Sequence, residues 1–205
     1  LSRPGRQLVY VHDPMCSWCW AFRPVWAAIR SALPGDIRVS RLLGGLAADT
    51  TAAMPLEMQQ GIRGIWATIQ QRVPGTEFNF DFWKRCRPRR ATFPACRAVI
   101  AAREQSPAFE ASMIRAIQQA YYLQARNPSD GATLIELAGE LGVDRQRFAR
   151  DLESDRIQAL LRDEIRRARL LGADSFPSLV LMDGGGHRLL QLDYRDPGVV
   201  LAQLA

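Results

Sequence analysis

The chain has 205 residues, 47% of them hydrophobic and 23% charged, with 27 basic against 21 acidic side chains and a formal charge of +6. That length suits one domain, or one domain carrying a large insertion, and the apolar content is enough for a core, which excludes a disordered chain. No apolar stretch approaches the roughly 18 residues of a membrane span, so a transmembrane protein is excluded too.

The first residues, Leu1-Ser-Arg-Pro-Gly5, hold no apolar signal core and no initiator Met. The expected compartment is therefore the cytoplasm, or the periplasm if a leader has been trimmed. Leu8 to Val11 reads as a short buried strand, closed by Asp13-Pro14, where the chain must turn. Cys16 and Cys19 then form a C-x-x-C, and Phe22, Val25, Trp26, Ile29 and Leu33 recur at helical spacing until Pro34-Gly35. Cys16 thus falls at a strand-to-helix junction. Unpaired N–H groups and the positive dipole end of the helix favour a thiolate there, while Cys19, deeper in the helix, suits resolution of a mixed disulfide. His12 reads either as a nearby charge when protonated or as a strand-end histidine satisfied by backbone. Pro24 either bends the helix or ends it, and continuation of the apolar stripe favours the bend. Ile37, Val39 and Leu42-Leu43 form a second strand, making residues 8–43 one βαβ unit with parallel strands.

The middle of the chain reads as helical. Met58, Ile62, Ile65, Trp66 and Ile69 mark one core stripe, and Phe109, Ile114, Ile117 and Tyr121 another. Ser129-Asp130 is expected to cap a third helix bearing Leu134, Leu137 and Leu141 before Gly142, and a last helix spans about Ile157 to Leu171. Between the first two stripes, Lys84, Arg85, Arg87, Arg89, Arg90 and Arg97 occur without an acidic neighbour, equalling the whole chain's charge excess. A single patch with no zinc-finger, RNA-recognition or phosphate-loop motif beside it argues against nucleic acid and for a solvated loop or a small acidic ligand. Cys86 and Cys96, ten apart in that segment, are poorly spaced for a zinc knuckle with the C-x-x-C, so no metal is expected. Cys96 reads as the start of a helix after Pro94, its thiol either buried and inert, the default for a free cysteine, or a secondary redox thiol. Beyond Gly172, Ser178 to Met182 reads as a strand, Asp183 to Gly186 as a hairpin turn, Arg188 to Leu192 as the returning strand, and Pro197 to Leu204 as a closing helix.

The order β-α-β, helical insertion, β-β-α is that of an α/β thioredoxin-like fold interrupted by an all-helical domain. The expected divisions are 1–46, 47–172 and 173–205. Cys16-Ser-Trp-Cys19 with Pro24, Phe176-Pro177 before the third strand, and Ala91-Thr-Phe-Pro-Ala-Cys96-Arg97 together resemble the DsbA-like thiol-disulfide oxidoreductases. The resemblance extends to the branch with the kappa-class glutathione transferases and hydroxychromene-carboxylate isomerases. It implies a thiol-disulfide oxidoreductase or isomerase in which Cys16 attacks and Cys19 resolves. Ser17, Trp18, Phe176 and a cis Pro177 would dock the substrate, with His12 and Pro24 in support. It also implies glutathione as a redox partner rather than a tightly bound cofactor, held by Arg89, Arg90 and Thr92. The other partners implied are proteins bearing thiols or disulfides, with neither nucleic acid nor membrane, acted on by a monomer or homodimer. DsbA-type oxidants carry a histidine between the cysteines, and the Ser-Trp pair here implies a less oxidising couple. The alternative is a kappa-class-like transferase or isomerase in which Cys19 is incidental.

Overall fold

The computed structural model describes residues 5–204, so the leader reading of residues 1–4 lies outside the described residues. The first half runs β1 (Gln7–His12), α1 (Ser17–Ser31) and β2 (Arg38–Leu43). Six helices follow: α2 (Leu56–Arg72), α3 (Phe82–Arg85), α4 (Phe93–Arg103), α5 (Phe109–Tyr122), α6 (Gly131–Glu140) and α7 (Arg145–Leu152). Then come α8 (Asp155–Leu170), β3 (Ser178–Asp183), β4 (Gly186–Leu189) and α9 (Gly198–Leu201), which tightens into a 3-10 turn at Ala202–Leu204. The strands form one mixed sheet in the order β2-β1-β3-β4, with β1 parallel to β2 and antiparallel to β3. This is the expected thioredoxin-like sheet split by a helical insertion.

Strand alternation sets the layers, because successive side chains leave opposite faces of the sheet. Leu8 and Tyr10 of β1, with Leu179 and Leu181 of β3, pack on Phe22, Trp26 and Ile29 of α1 and on Val200 and Leu204. Val9, Val11 and Val180 face the other way, against Ala168 of α8 and Ala173. The sheet is thus covered on both sides. A third and larger core fills the insertion and reaches Met15, Trp20 and Ala21 beside the C-x-x-C. Its centre is α4, in which every residue from Ala95 to Ala102 is buried, as expected for a helix enclosed by others. Glu164 of α8 ties the layers together. It accepts the Leu43 amide at 2.7 Å and pairs with Arg103 of α4, which also meets Glu110 of α5.

Several expected elements are corrected. Trp66 and Ile69 of α2 are buried and Ile62 packs against the same core, but Met58 and Ile65 are 40% and 43% exposed, because at i and i+7 they share a flank of the helix turned from that core. Asp130 stands at the start of α6 without capping it; its carboxylate is held by Asn127 and Arg89 instead. The returning strand ends at Leu189 rather than Leu192. Gln203 holds the Gln191 backbone in both directions, and the Asp193 carboxylate folds the next residues into a turn. The hairpin turn itself is Gly184-Gly185, closed by the Asp183–Gly186 pair.

Candidate active site

The turn between β1 and α1 aims Cys16. Its amide donates to the Asp13 carbonyl at 3.0 Å, and the Met15 amide donates to Asp13 Oδ1 at 2.8 Å, an Asx turn closed by Pro14. Cys16 is the extended residue at the head of α1 (φ −81°, ψ 118°), and its side chain is not used in capping the helix. It remains 6% exposed, and its thiol donates to the Phe176 carbonyl at 3.4 Å. The Phe176–Pro177 peptide bond is cis, as the resemblance implied. Phe176 is held by a close approach that no sequence pattern revealed: its ring occupies the space beside Gly44, where an added Cβ would lie 2.0 Å from it.

The two cysteines are driven apart in acidity. The Cys16 thiol is held below its ordinary pKa, chiefly by a hydrogen bond from Cys19 and then by the Cys19 and Trp18 amides, which outweigh burial and the Asp13 charge. Cys19 is pushed well above its ordinary value, first by burial and then by Cys16 itself. The arrangement is chemically directional, with the more acidic sulfur at the head of α1, 6% exposed, and a protonated, almost fully buried thiol behind it. All four cysteines are free thiols.

The residues flanking the pair have unequal parts. Trp18 packs edge-on against Tyr194, with ring centroids 5.1 Å apart. Trp18, Phe176 and Pro177 line one cleft of about 720 Å³ together with Arg72 and Arg195. Ser17 does not face that cleft as a free donor; its hydroxyl accepts the Trp66 indole N–H at 2.9 Å, anchoring the head of α1 to the insertion. Helix α1 runs through Pro24 to Ser31, so the proline does not end it. His12 supplies no charge. It is 1% exposed and stacked on Tyr10, and burial, with Arg41 and Arg103 nearby, lowers its pKa to about 3.

The expected glutathione contacts need correction. Thr92 is buried, its hydroxyl donating to Asp13 Oδ2 at 2.6 Å and accepting the Ala47 amide at 3.0 Å. Arg89 pairs with Asp130 at 2.6 Å and donates to the Ser129 carbonyl. Of the two arginines, Arg90 has no ion pair among the described residues. Arg97 is buried against Asp49, Gln158 and the Leu152 carbonyl. Two of the six basic residues, Arg89 and Arg97, are thus neutralised by carboxylates from elsewhere in the chain, which counting charge along the segment cannot see. What sequence reading missed is Asp13 itself. Fully buried, it accepts Met15, Leu46 and Thr92 and lies 3.5 Å from the Cys96 thiol. An aspartate before proline at a strand end was the available signal. Among the described residues no cluster of His, Cys, Asp or Glu could hold a metal, and no helix is long and apolar enough to cross a membrane.

The DSBA-like thioredoxin domain family matches residues 7–195. A Nitrosomonas europaea structure, provisionally described as a protein disulfide isomerase, is 30% identical with a TM-score of 0.82, covering 98% of this chain and 96% of that one. The cytosolic disulfide reductase DsbM of Pseudomonas aeruginosa is 27% identical with a TM-score of 0.74, over 97% and 93% of the two chains. It has also been solved with GSH. The ClpXP adapter protein SpxH of Halalkalibacterium halodurans is 22% identical over 175 residues, 83% of this chain and 56% of that protein. The chain therefore spans little more than half the length of that curated relative.

Proposed function

The chain belongs to the DSBA-like thioredoxin domain family, and from that premise we propose that it is a thiol-disulfide oxidoreductase that runs reductively with glutathione in the cytosol. The observation that carries the reading is the Cys16 thiol, held ionisable at the head of α1, 3.4 Å from the Phe176 carbonyl and backed by protonated Cys19.

Cys16 thiolate attacks one sulfur of a substrate disulfide, forming a mixed disulfide, and the other substrate sulfur leaves as a thiol after taking a proton. Cys19 then gives up its proton and attacks Cys16, releasing the second substrate thiol and leaving a Cys16–Cys19 disulfide. One glutathione opens that bond at Cys16, and a second attacks the glutathione sulfur, producing oxidised glutathione and the dithiol. The backbone at half-buried Phe176, beside Cys16, offers a substrate segment an edge to lie against. Glutathione docks in the cleft beside Trp18, where Arg72 and Arg195 meet its carboxylates. That replaces the Arg89-Arg90-Thr92 assignment. The absence of a histidine between the cysteines supports a couple less oxidising than about −120 mV.

Cys19→Ser distinguishes this from the kappa-class-like alternative. A trapped mixed disulfide on Cys16 with loss of turnover is expected; full turnover with no adduct would make Cys19 incidental. Replacing Arg72 and Arg195 together by Ala should raise the glutathione needed for half-maximal reduction several-fold. An unchanged requirement removes the cleft assignment.

A further inference from the structure

A cavity of about 140 Å³, sharing no lining residue with the Trp18 cleft, lies beside Cys19 between β1, β2, α1 and α5. Four arginines converge on it: Arg23 and Arg30 from one face of α1, Arg41 from β2 and Arg115 from α5. No carboxylate is among the described residues that line it, and Arg41 alone of the four has an acidic partner there, Glu110 at 2.8 Å. Arg23 lies 4.4 Å over the Trp20 ring. Burial first, and Arg115 second, hold its guanidinium below the usual value. His12 lines the same cavity; it is 1% exposed, and its Nε2 has no hydrogen-bond partner.

We propose that this cavity binds a compact phosphoryl dianion, either free phosphate or the phosphoryl end of a small metabolite. Guanidinium forks arriving from three elements suit an anion with three or four acceptor oxygens better than a planar carboxylate with two. The volume accommodates several heavy atoms and excludes a peptide or a whole nucleotide from the enclosed part. Cys19 forms part of the wall, so the bound anion lies beside the resolving thiol. The site does not depend on the cleft used by glutathione.

Isothermal titration calorimetry of the reduced full chain with sodium phosphate, at constant ionic strength, tests the assignment. Saturable one-to-one binding is expected, weakened roughly tenfold in Arg115→Ala and unchanged in Arg87→Ala, a control in the exposed basic segment. Arg115 is exposed, and an unchanged unfolding midpoint in phosphate-free buffer verifies that its variant is folded. Glycerol phosphate binding more tightly than phosphate identifies an esterified ligand, and weaker binding identifies the free ion. No saturation, equal affinity in Arg115→Ala, or succinate binding as tightly as phosphate would each overturn the proposal.

Discussion

Asp13 and His12, adjacent in sequence, are both buried and behave oppositely. The Asp13 carboxylate takes the amides of Met15 and Leu46 and the Thr92 hydroxyl. An amide group cannot accept on its nitrogen, so Asp13→Asn leaves at least one buried donor without a partner, at about 1–3 kcal/mol. A denaturant midpoint unchanged from wild type would contradict that role. His12 couples stability to acidity. The unfolded imidazole takes a proton near pH 6.5, whereas buried His12 resists until about 3, so between those values the unfolded state binds the extra proton. The contribution is intact above pH 6.5 and is lost on acidification at about 1.4 kcal/mol per pH unit. Burial raises the Asp13 pKa, which acts in the opposite sense, so the comparison is made between variants. Urea midpoints measured from about pH 7.5 down to about pH 4.5 should fall less steeply in His12→Phe than in wild type. Parallel curves would show that the histidine is not held neutral.

At the scale of elements, the parts nearest the chemistry were the most legible. The β1-α1-β2 unit announces itself through a strand run, a turn at Asp13-Pro14 and an apolar stripe that outlasts Pro24. Helix α7 was missed because only Phe148 and Leu152 face the core from its eight residues, too short a pattern to register. The α2 stripe was misjudged at Met58 and Ile65, since periodicity shows that a helix has an apolar face but not how wide a part of it a partner covers. Trp66 was read as core, but its N–H bond to Ser17 is a contact 49 residues apart in sequence, set by tertiary packing. The seat of Phe176 against Gly44 is equally silent in sequence. It carries a prediction: Gly44→Ala must displace the Phe176 ring, destabilising the fold by about 1–3 kcal/mol and slowing disulfide reduction. Wild-type stability and rate in that variant would show the contact to be slack.

Across the whole molecule, the insertion is part of the site. Thr92 and Trp66, both outside the thioredoxin-like halves, hold the two residues that flank the Cys16 turn, Asp13 and Ser17. The Glu164–Arg103–Glu110–Arg41 network binds α8, α4, α5 and β2 to one another. Glu164 is buried, so Glu164→Gln removes a charge that Arg103 needs and should cost about 2 kcal/mol in thermal unfolding, softened because Arg103 keeps Glu110. No loss of stability would mean that the network is dispensable. The central claim is that this scaffold makes one thiol more acidic than a free cysteine and keeps its neighbour protonated. Its most direct test is the pH dependence of alkylation of the reduced protein, with Cys16 and Cys19 resolved by mass spectrometry, in wild type and in Cys19→Ala. Cys16 should react first, with a midpoint below the free-cysteine value of about 8.5 that rises when the Cys19 thiol is removed. Prior reaction of Cys19, or a Cys16 midpoint at or above that value, would contradict the account.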